Sequence, residues 1–370
     1  MNYRYFTSES VCSGHPDKIC DQVSDAVLDE AYKIDPYSRV AVECLATKNH
    51  FVMAGEVTSK AELEFEKIAR QVIKKLGYTN KKFNFHYQTT PIDIFIHQQS
   101  SDIACGVDVG GAGDQGMMFG YACRETEQLM PAPIIISHRL AQKIDEAREK
   151  KIISYLRPDG KTEVKVRYEK GQPVAVEQVV LAVAHQPQAT NQEIKQDLFE
   201  KVVLPVLEEF KFKITKKNLI VNGTGRWLIG GPASDTGETG RKIIVDTYGG
   251  MGRHGGGCFS GKDLTKVDRS GAYACRFLAK NIVAGGLADR VEVKVAYVIG
   301  QAKPIDRGIE TFGTAKKPLK LIEDFAFKLL DLSVPAILEK LNLRQPIYKK
   351  TACYGHFGRD NFPWEKIVEQ

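Results

Sequence analysis

Apolar residues first recur with helical spacing behind a polar knot near the start of the chain. Ile19, Val23, Ala26, Val27 and Ala31 recur with the spacing of one helix face. His15-Pro16-Asp17-Lys18 opens that helix: proline fits its first position and an acid suits its positive end. Pro36 closes it. Alternation then predicts two strands, Arg39–Thr47 and Phe51–Thr58. Lys60–Leu76 reads as an amphipathic helix stopped by Gly77, and Phe83–Thr90 alternates like a strand. Ser100–Gly116 is polar, glycine-rich and without period, which predicts a long loop of the kind that often serves function.

Beyond it, Ile134–Glu149 reads as a helix. Thr162–Tyr168 and Val174–Ala184 read as strands around a Lys170-Gly171 turn. Gln192–Phe210 reads as a helix despite Pro205, Ile243–Tyr248 as a strand, Asp268–Ala284 as a helix and Val291–Ile299 as a strand. Helices return at Leu319–Leu330 and Val334–Leu341. Two strands and a helix thus recur about three times without a short internal repeat. Mixed α+β domains in a roughly threefold arrangement fit this pattern.

Composition narrows the class. The 370 residues are 43% hydrophobic and 26% charged, as in ordinary globular proteins. The net charge of +6 is spread along the chain, without the stripe of a nucleic-acid binder. Lys81-Lys82 and Lys216-Lys217 read as solvated faces. Eight cysteines with no CxxC spacing argue against a zinc site and for a reducing compartment. No apolar run approaches the ~20 residues of a membrane span. The expectation is a cytoplasmic protein with neither membrane nor nucleic-acid partner.

The candidate chemistry lies in two places. Residues 223–261 hold 13 of the 32 glycines, with Arg226, Asp235, Arg241, Lys242, Asp246, Arg253, His254, Lys262, Lys266 and Asp268 interleaved or adjacent. Glycines let backbone N–H groups turn toward an anion, and Arg and Lys bring charge to phosphate oxygens. The acids suit either a metal or the orientation of a cation. Two patterns here mislead. Gly250–Gly255 and Gly111–Gly116 both fit GxGxxG, but no helix opens at once after the first. Gly256–Asp263 has P-loop spacing with Asp263 where a hydroxyl must bind magnesium.

The second place is Gly14-His15-Pro16-Asp17-Lys18. It sets an imidazole, a carboxylate and an ammonium at a helix start that favours anions, though taken alone it reads rather as a capped helix with solvated charges. Glu43 and Glu56 sit in strand-like runs. If buried they need a cationic partner; otherwise they alternate outward.

Taken together, several long segments resemble the S-adenosylmethionine synthetases over nearly the whole chain. They are Phe6–Val11 leading to Gly14–Lys18, Gly111–Gly116 running into Met118–Tyr121, Leu129–Pro133, Thr239–Gly250, Arg253–Asp263 and Tyr354–Arg359. The resemblance implies three similar domains of mixed sheet plus helices, pseudo-threefold and with interleaved segments, divided here at 1–101, 108–229 and 231–370. It implies attack of methionine sulfur on C5′ of ATP, release of triphosphate, and hydrolysis of that triphosphate to diphosphate and phosphate.

By the same resemblance, His15, Lys18, Lys161, Arg241, Lys242 and Lys262 serve catalysis. ATP meets His15, Asp114, Asp159, Lys161, Arg226, Trp227, Asp235, Arg241, Lys242, Cys258 and Lys262. Methionine meets Glu56, Gln99, Asp235 and Lys266, while Gln99 and Asp102 belong to a flexible loop. Asp17 and Asp268 hold Mg²⁺, two ions per subunit, and Glu43 holds one K⁺. The implied assembly is a homodimer with shared active sites, joined into a homotetramer. The chain departs from common bacterial members in a shorter stretch between Asp108 and Gly111, in Ser101, and in Trp227 and Cys258. A kinase or ligase is the competing enzymatic reading, and a nucleotide- or RNA-binding scaffold the non-catalytic one.

Overall fold

Three sheets, each assembled from segments far apart in sequence, pack against three long helices. The computed structural model describes residues 3–98 and 110–368. The first sheet joins β1 (Tyr5–Val11), β6 (Leu156–Glu169), β7 (Gln172–His185) and β8 (Leu219–Val221) in the order β1-β6-β7-β8. The second joins β11 (Asp306–Glu310), β10 (Arg290–Tyr297) and β5 (Gly116–Cys123), all antiparallel. The third runs β4 (Ile92–His97), β3 (His50–Thr58), β2 (Arg39–Thr47) and β9 (Gly237–Glu238). Every sheet therefore borrows a strand from another stretch of chain, so the segments interleave. The fold is α+β.

One long helix covers each sheet. Helix α1 (Pro16–Ile34) lies on β2, α3 (Ala132–Glu149) on β1 and β6, and α7 (Val267–Ala284) on β5 and β10. The alternation of β2 explains the first contact: Val40, Val42, Cys44 and Ala46 are buried beneath α1. The opposite face of that sheet is open. Register places Glu43, Ala54 and Phe95 side by side there, with Ala41, Glu56 and His97 in the adjoining row. Phe95 is 63% exposed and Leu45, on the same face, 37%.

Both α1 and α7 are buried on nearly all sides, polar residues included. A helix with no wet face must pair its charges internally. Arg269 of α7 does so by forking onto Asp25 of α1 at 2.7 and 2.9 Å. Arg276 forks onto Glu365 at 2.9 Å through both nitrogens. Among the described residues no helix is long and apolar enough to cross a membrane. The seven described cysteines are free thiols, six of them buried.

Most predicted elements form, with shifted ends. Lys170 and Gly171 both take positive φ, which suits a two-residue hairpin turn, and β6 and β7 extend well past their predicted limits. Pro205 is accommodated by a π-turn over Phe199–Val203, between α4 (Asn191–Leu198) and α5 (Leu204–Glu209).

Two predictions fail and one helix starts late. Helix α2 spans Phe65–Lys75, not Lys60 onward, because the Lys60 and Ala61 amides donate to Asp35 and Ser59 instead. Phe83–Thr90 is not a strand. The His86 amide donates to Thr90 Oγ1 and the Thr90 amide to the His86 carbonyl, closing a local turn before β4 begins. Ile243–Asp246 is a short helix, α6, rather than a strand, with Asp246 N–H donating to the Lys242 carbonyl. Of the predicted loop Ser100–Gly116, residues 100–109 lie outside the described residues.

His138 gives a stability test. It is buried on α3 with Nδ1 2.8 Å from Ser10 Oγ, and burial, aided by Arg359 and Lys18, lowers its pKa to about 3. The unfolded chain binds this proton near the ordinary imidazole value of about 6.5, but the folded chain does not until far lower pH, so folding weakens as pH falls. His138→Gln is expected to remove one proton's worth of slope between pH 6 and 4, ~1.4 kcal/mol per pH unit, from urea-unfolding free energies. An unchanged slope contradicts the buried neutral imidazole.

Candidate active site

The site begins at the start of α1. His15 is its N-cap residue, and its Nδ1 accepts the Asp17 N–H at 3.2 Å. That bond leaves the proton on Nε2, which is buried and has no partner. Burial first, then the Lys242 ammonium, depresses the imidazole to about 3. His15 is therefore a neutral hydrogen-bond donor rather than a charge.

The next residues hold the glycine-rich loops. Asp17 accepts the Glu238 N–H at 2.9 Å and the Lys242 ammonium. Burial alone would raise its pKa, yet these two donors hold it below the usual carboxylate range. One turn on, Asp21 accepts the Gly240 N–H at 2.8 Å, and one turn further Asp25 accepts the Gly261 N–H at 2.9 Å. Such approach needs glycine at 237, where a Cβ would stand 2.1 Å from the Pro16 carbonyl carbon.

Around this row the expected residues fall into neighbouring groups. Asp159 is buried, accepts the Gly231 N–H at 2.6 Å through one oxygen and leaves the other without a partner. Burial pushes it up to about 7, against the Gly231 N–H and the nearby Lys161, while exposed Asp235 adds to the rise. Lys161 is exposed on β6 and its charge also reaches His15. Arg241 is exposed beside Lys242.

A second group centres on Lys262, which donates to Asp268 at 2.5 Å and feels the charge of exposed Asp114. Cys258 lies between the groups. Its Cβ abuts Gly240, and burial raises the thiol's pKa, so a reactive thiolate is not favoured. Glu43 and Glu56 share the open face of the third sheet, with Glu56 3.3 Å from His97.

Other expected residues point elsewhere. Lys18 is fully buried and donates to Asp21 at 2.9 Å and to Asp246, so its ammonium does not join a phosphate clamp. Lys266 donates to Asp263. Arg226 donates to the Pro187 carbonyl and the Trp227 indole to that of Ile229. Gln99 and Asp102 lie outside the described residues. Asp263 accepts from the Val40 and Thr265 amides, which makes it a loop tie and removes the P-loop reading. Gly250–Gly255 leads into further loop, not a helix, and Gly111–Gly116 into strand β5.

Sequence reasoning passed over Asp21, Asp25 and Arg269. The four-residue spacing of Asp17, Asp21 and Asp25 on one helix face was the available signal. Among the described residues no three His, Cys, Asp or Glu side chains converge into a metal cage. Asp17 and Asp268 are each single carboxylates paired with a lysine. That donor set fits Mg²⁺, which commonly takes one or two carboxylates and completes its shell with phosphates and water.

Models of known families match in three consecutive stretches. The N-terminal domain of S-adenosylmethionine synthetase matches residues 3–101, its central domain 109–227 and its C-terminal domain 229–366. An S-adenosylmethionine synthase of Clostridium tetani (strain Massachusetts / E88) is 49% identical over 380 aligned positions, covering 98% of this chain and 97% of the relative. Fold and site thus define a nucleotide-using transferase. The chain belongs to the S-adenosylmethionine synthetase family. It is a methionine adenosyltransferase, forming S-adenosylmethionine from ATP and L-methionine.

Gly237 tests the loop grip. Gly237→Ala is expected to cost ~1–3 kcal/mol from overpacking against the start of α1 and to cut activity at least tenfold. Gly171→Ala has open space around its Cβ but a φ of +76°. It is expected to cost ~1–2 kcal/mol through backbone strain and leave activity unchanged. Thermal unfolding and initial rates measured on both separate the two effects.

Proposed function

We propose that the His15–Asp17–Lys242 cluster is where the triphosphate of ATP is held while its bond to C5′ breaks. The single observation that carries this reading is the orphaned Nε2–H of His15, buried at a helix N-terminus beside Lys242 and Lys161. A buried donor without a partner is costly unless a ligand satisfies it. The sulfur lone pair of methionine forms the S–C5′ bond while the C5′–O electrons pass to the departing triphosphate. Thioether sulfur needs no general base, so the protein's task is positioning and charge stabilisation. His15 donates to a phosphate oxygen, and Arg241, Lys242, Lys161 and Lys262 supply positive charge. The same clamp then holds the triphosphate for hydrolysis to diphosphate and phosphate.

Members of this family use a divalent metal and potassium. Asp17 and Asp268 would hold Mg²⁺, two ions per subunit, neutralising phosphate charge when bound, and Glu43 would hold one K⁺. Asp159, with its free oxygen, and Asp235 are assigned to nucleotide and methionine, Asp114 and Cys258 to the nucleotide, and Glu56 and Lys266 to methionine. Arg226 and Trp227 remain proposed nucleotide contacts, and Lys266 a methionine contact, only if their present hydrogen bonds are exchanged. A homodimer with shared sites, paired into a tetramer, is supported by the open sheet face where Phe95 and Leu45 lie beside Glu43 and Glu56.

Purified protein given ATP, methionine, Mg²⁺ and K⁺ is expected to form S-adenosylmethionine, diphosphate and phosphate, quantified by chromatography. ADP or AMP as the product would establish a kinase or ligase instead. His15→Asn is expected to slow sulfonium formation ~10²–10³-fold, as for loss of a preorganised donor, with ATP affinity within severalfold. Equal loss of affinity and rate contradicts the role.

A further inference from the structure

Two charged rungs connect the start of α1 with the segment 242–246. One is Asp17 to Lys242, in the cleft. The other is Lys18 to Asp246, out of reach of solvent. Lys18 also donates to Asp21, but that residue is on the same helix, so this bond links no new segment. Asp246 ends α6, and its carbonyl accepts the His356 N–H at 2.9 Å, which ties in the C-terminal segment as well. Burial works against the Lys18 charge, but Asp21 and Asp246 more than offset it and hold the lysine protonated.

The two rungs differ in what substrate does to them. Asp17 and Lys242 are the groups that a metal and a phosphate would engage, so that rung is exchangeable. The Lys18–Asp246 rung is sealed from solvent, so substrate has no route by which to exchange it. We propose that Asp246, acting through Lys18, is a positioning residue: it keeps His15 and the Arg241–Lys242 turn in register when substrate replaces the Asp17–Lys242 contact. This rests on the clamp described under the proposed function. A misplacement of about 1 Å in such a clamp costs up to about a hundredfold in rate.

Asp246→Ala tests this without stranding a charge, because Lys18 keeps Asp21. The expected result is a kcat for S-adenosylmethionine formation lowered about tenfold or more, with KM for ATP and for methionine within about twofold. Asp246→Asn retains an acceptor oxygen for Lys18 and is expected to restore most but not all of the loss, leaving kcat about two- to threefold below the parent. Glu365→Gln weakens a comparable buried network outside the cleft and calibrates how far simple destabilisation lowers activity at a given fall in Tm.

An unchanged kcat in Asp246→Ala overturns the proposal, as does a raised KM at constant kcat. So does an activity loss no greater than that of Glu365→Gln at equal fall in Tm. Should Asp246→Ala not fold, Asp246→Asn decides: a kcat two- to threefold below the parent at constant KM supports positioning, and a kcat equal to the parent's overturns it. A parent protein that makes no S-adenosylmethionine refutes the clamp itself, which is a separate result.

Discussion

The carboxylates of Asp17, Asp21 and Asp25 grip three backbone N–H groups of the glycine-rich loops, and the cleft depends on that grip. The loops between residues 237 and 261 make few ladder hydrogen bonds of their own. Their amides near α1 are partly or wholly buried, that of Gly261 fully, and need acceptors. One acid per helical turn supplies them, at 2.9, 2.8 and 2.9 Å. Glycine permits the contact because a side chain at 237 or 261 would collide with backbone: a Cβ on Gly261 would stand 2.0 Å from the Val42 carbonyl oxygen. The helix and the loops are therefore complementary parts of one device, and neither alone sets the cleft.

Burying these acids creates an electrostatic demand that the surrounding cations meet. Arg269 answers Asp25 with a fork and also donates to the Phe259 and Lys262 carbonyls, so it anchors the backbone that presents the Lys262 ammonium. Lys18 answers Asp21 and Asp246. Removing one side of the one-to-one Arg269–Asp25 pair leaves an uncompensated charge, which costs more than the intact pair contributes, whereas Lys18 has two carboxylates and keeps one if the other is lost. The cleft follows a different rule. There Lys242 rests on Asp17 and Lys262 on Asp268, pairings that in the proposed clamp give way to phosphate and metal. His15 Nε2 and Asp159 Oδ1 have no such stand-in. The buried charges fix geometry, and the cleft charges remain available for ligand.

The sequence by itself determined the long helices, the β6–β7 hairpin and the residue types of the cleft. Helical period, turn glycines and the crowding of Arg, Lys and Asp among glycines are local facts that survive folding. Its failures were periodic patterns overruled by competing hydrogen-bond partners, some adjacent and some distant. Ile243–Asp246 has strand-like β-branched residues yet coils into a helix, whose last residue is drawn to Lys18 from 228 positions away. Phe83–Thr90 alternates, but His86 and Thr90 satisfy one another's backbone first. Tertiary structure alone decided which charges are wet. Lys18 and Lys242 look alike in sequence, and so do Asp21 and Asp268. One of each pair is sealed inside, because a polar residue on a helix shows which side it faces only once a second element covers it.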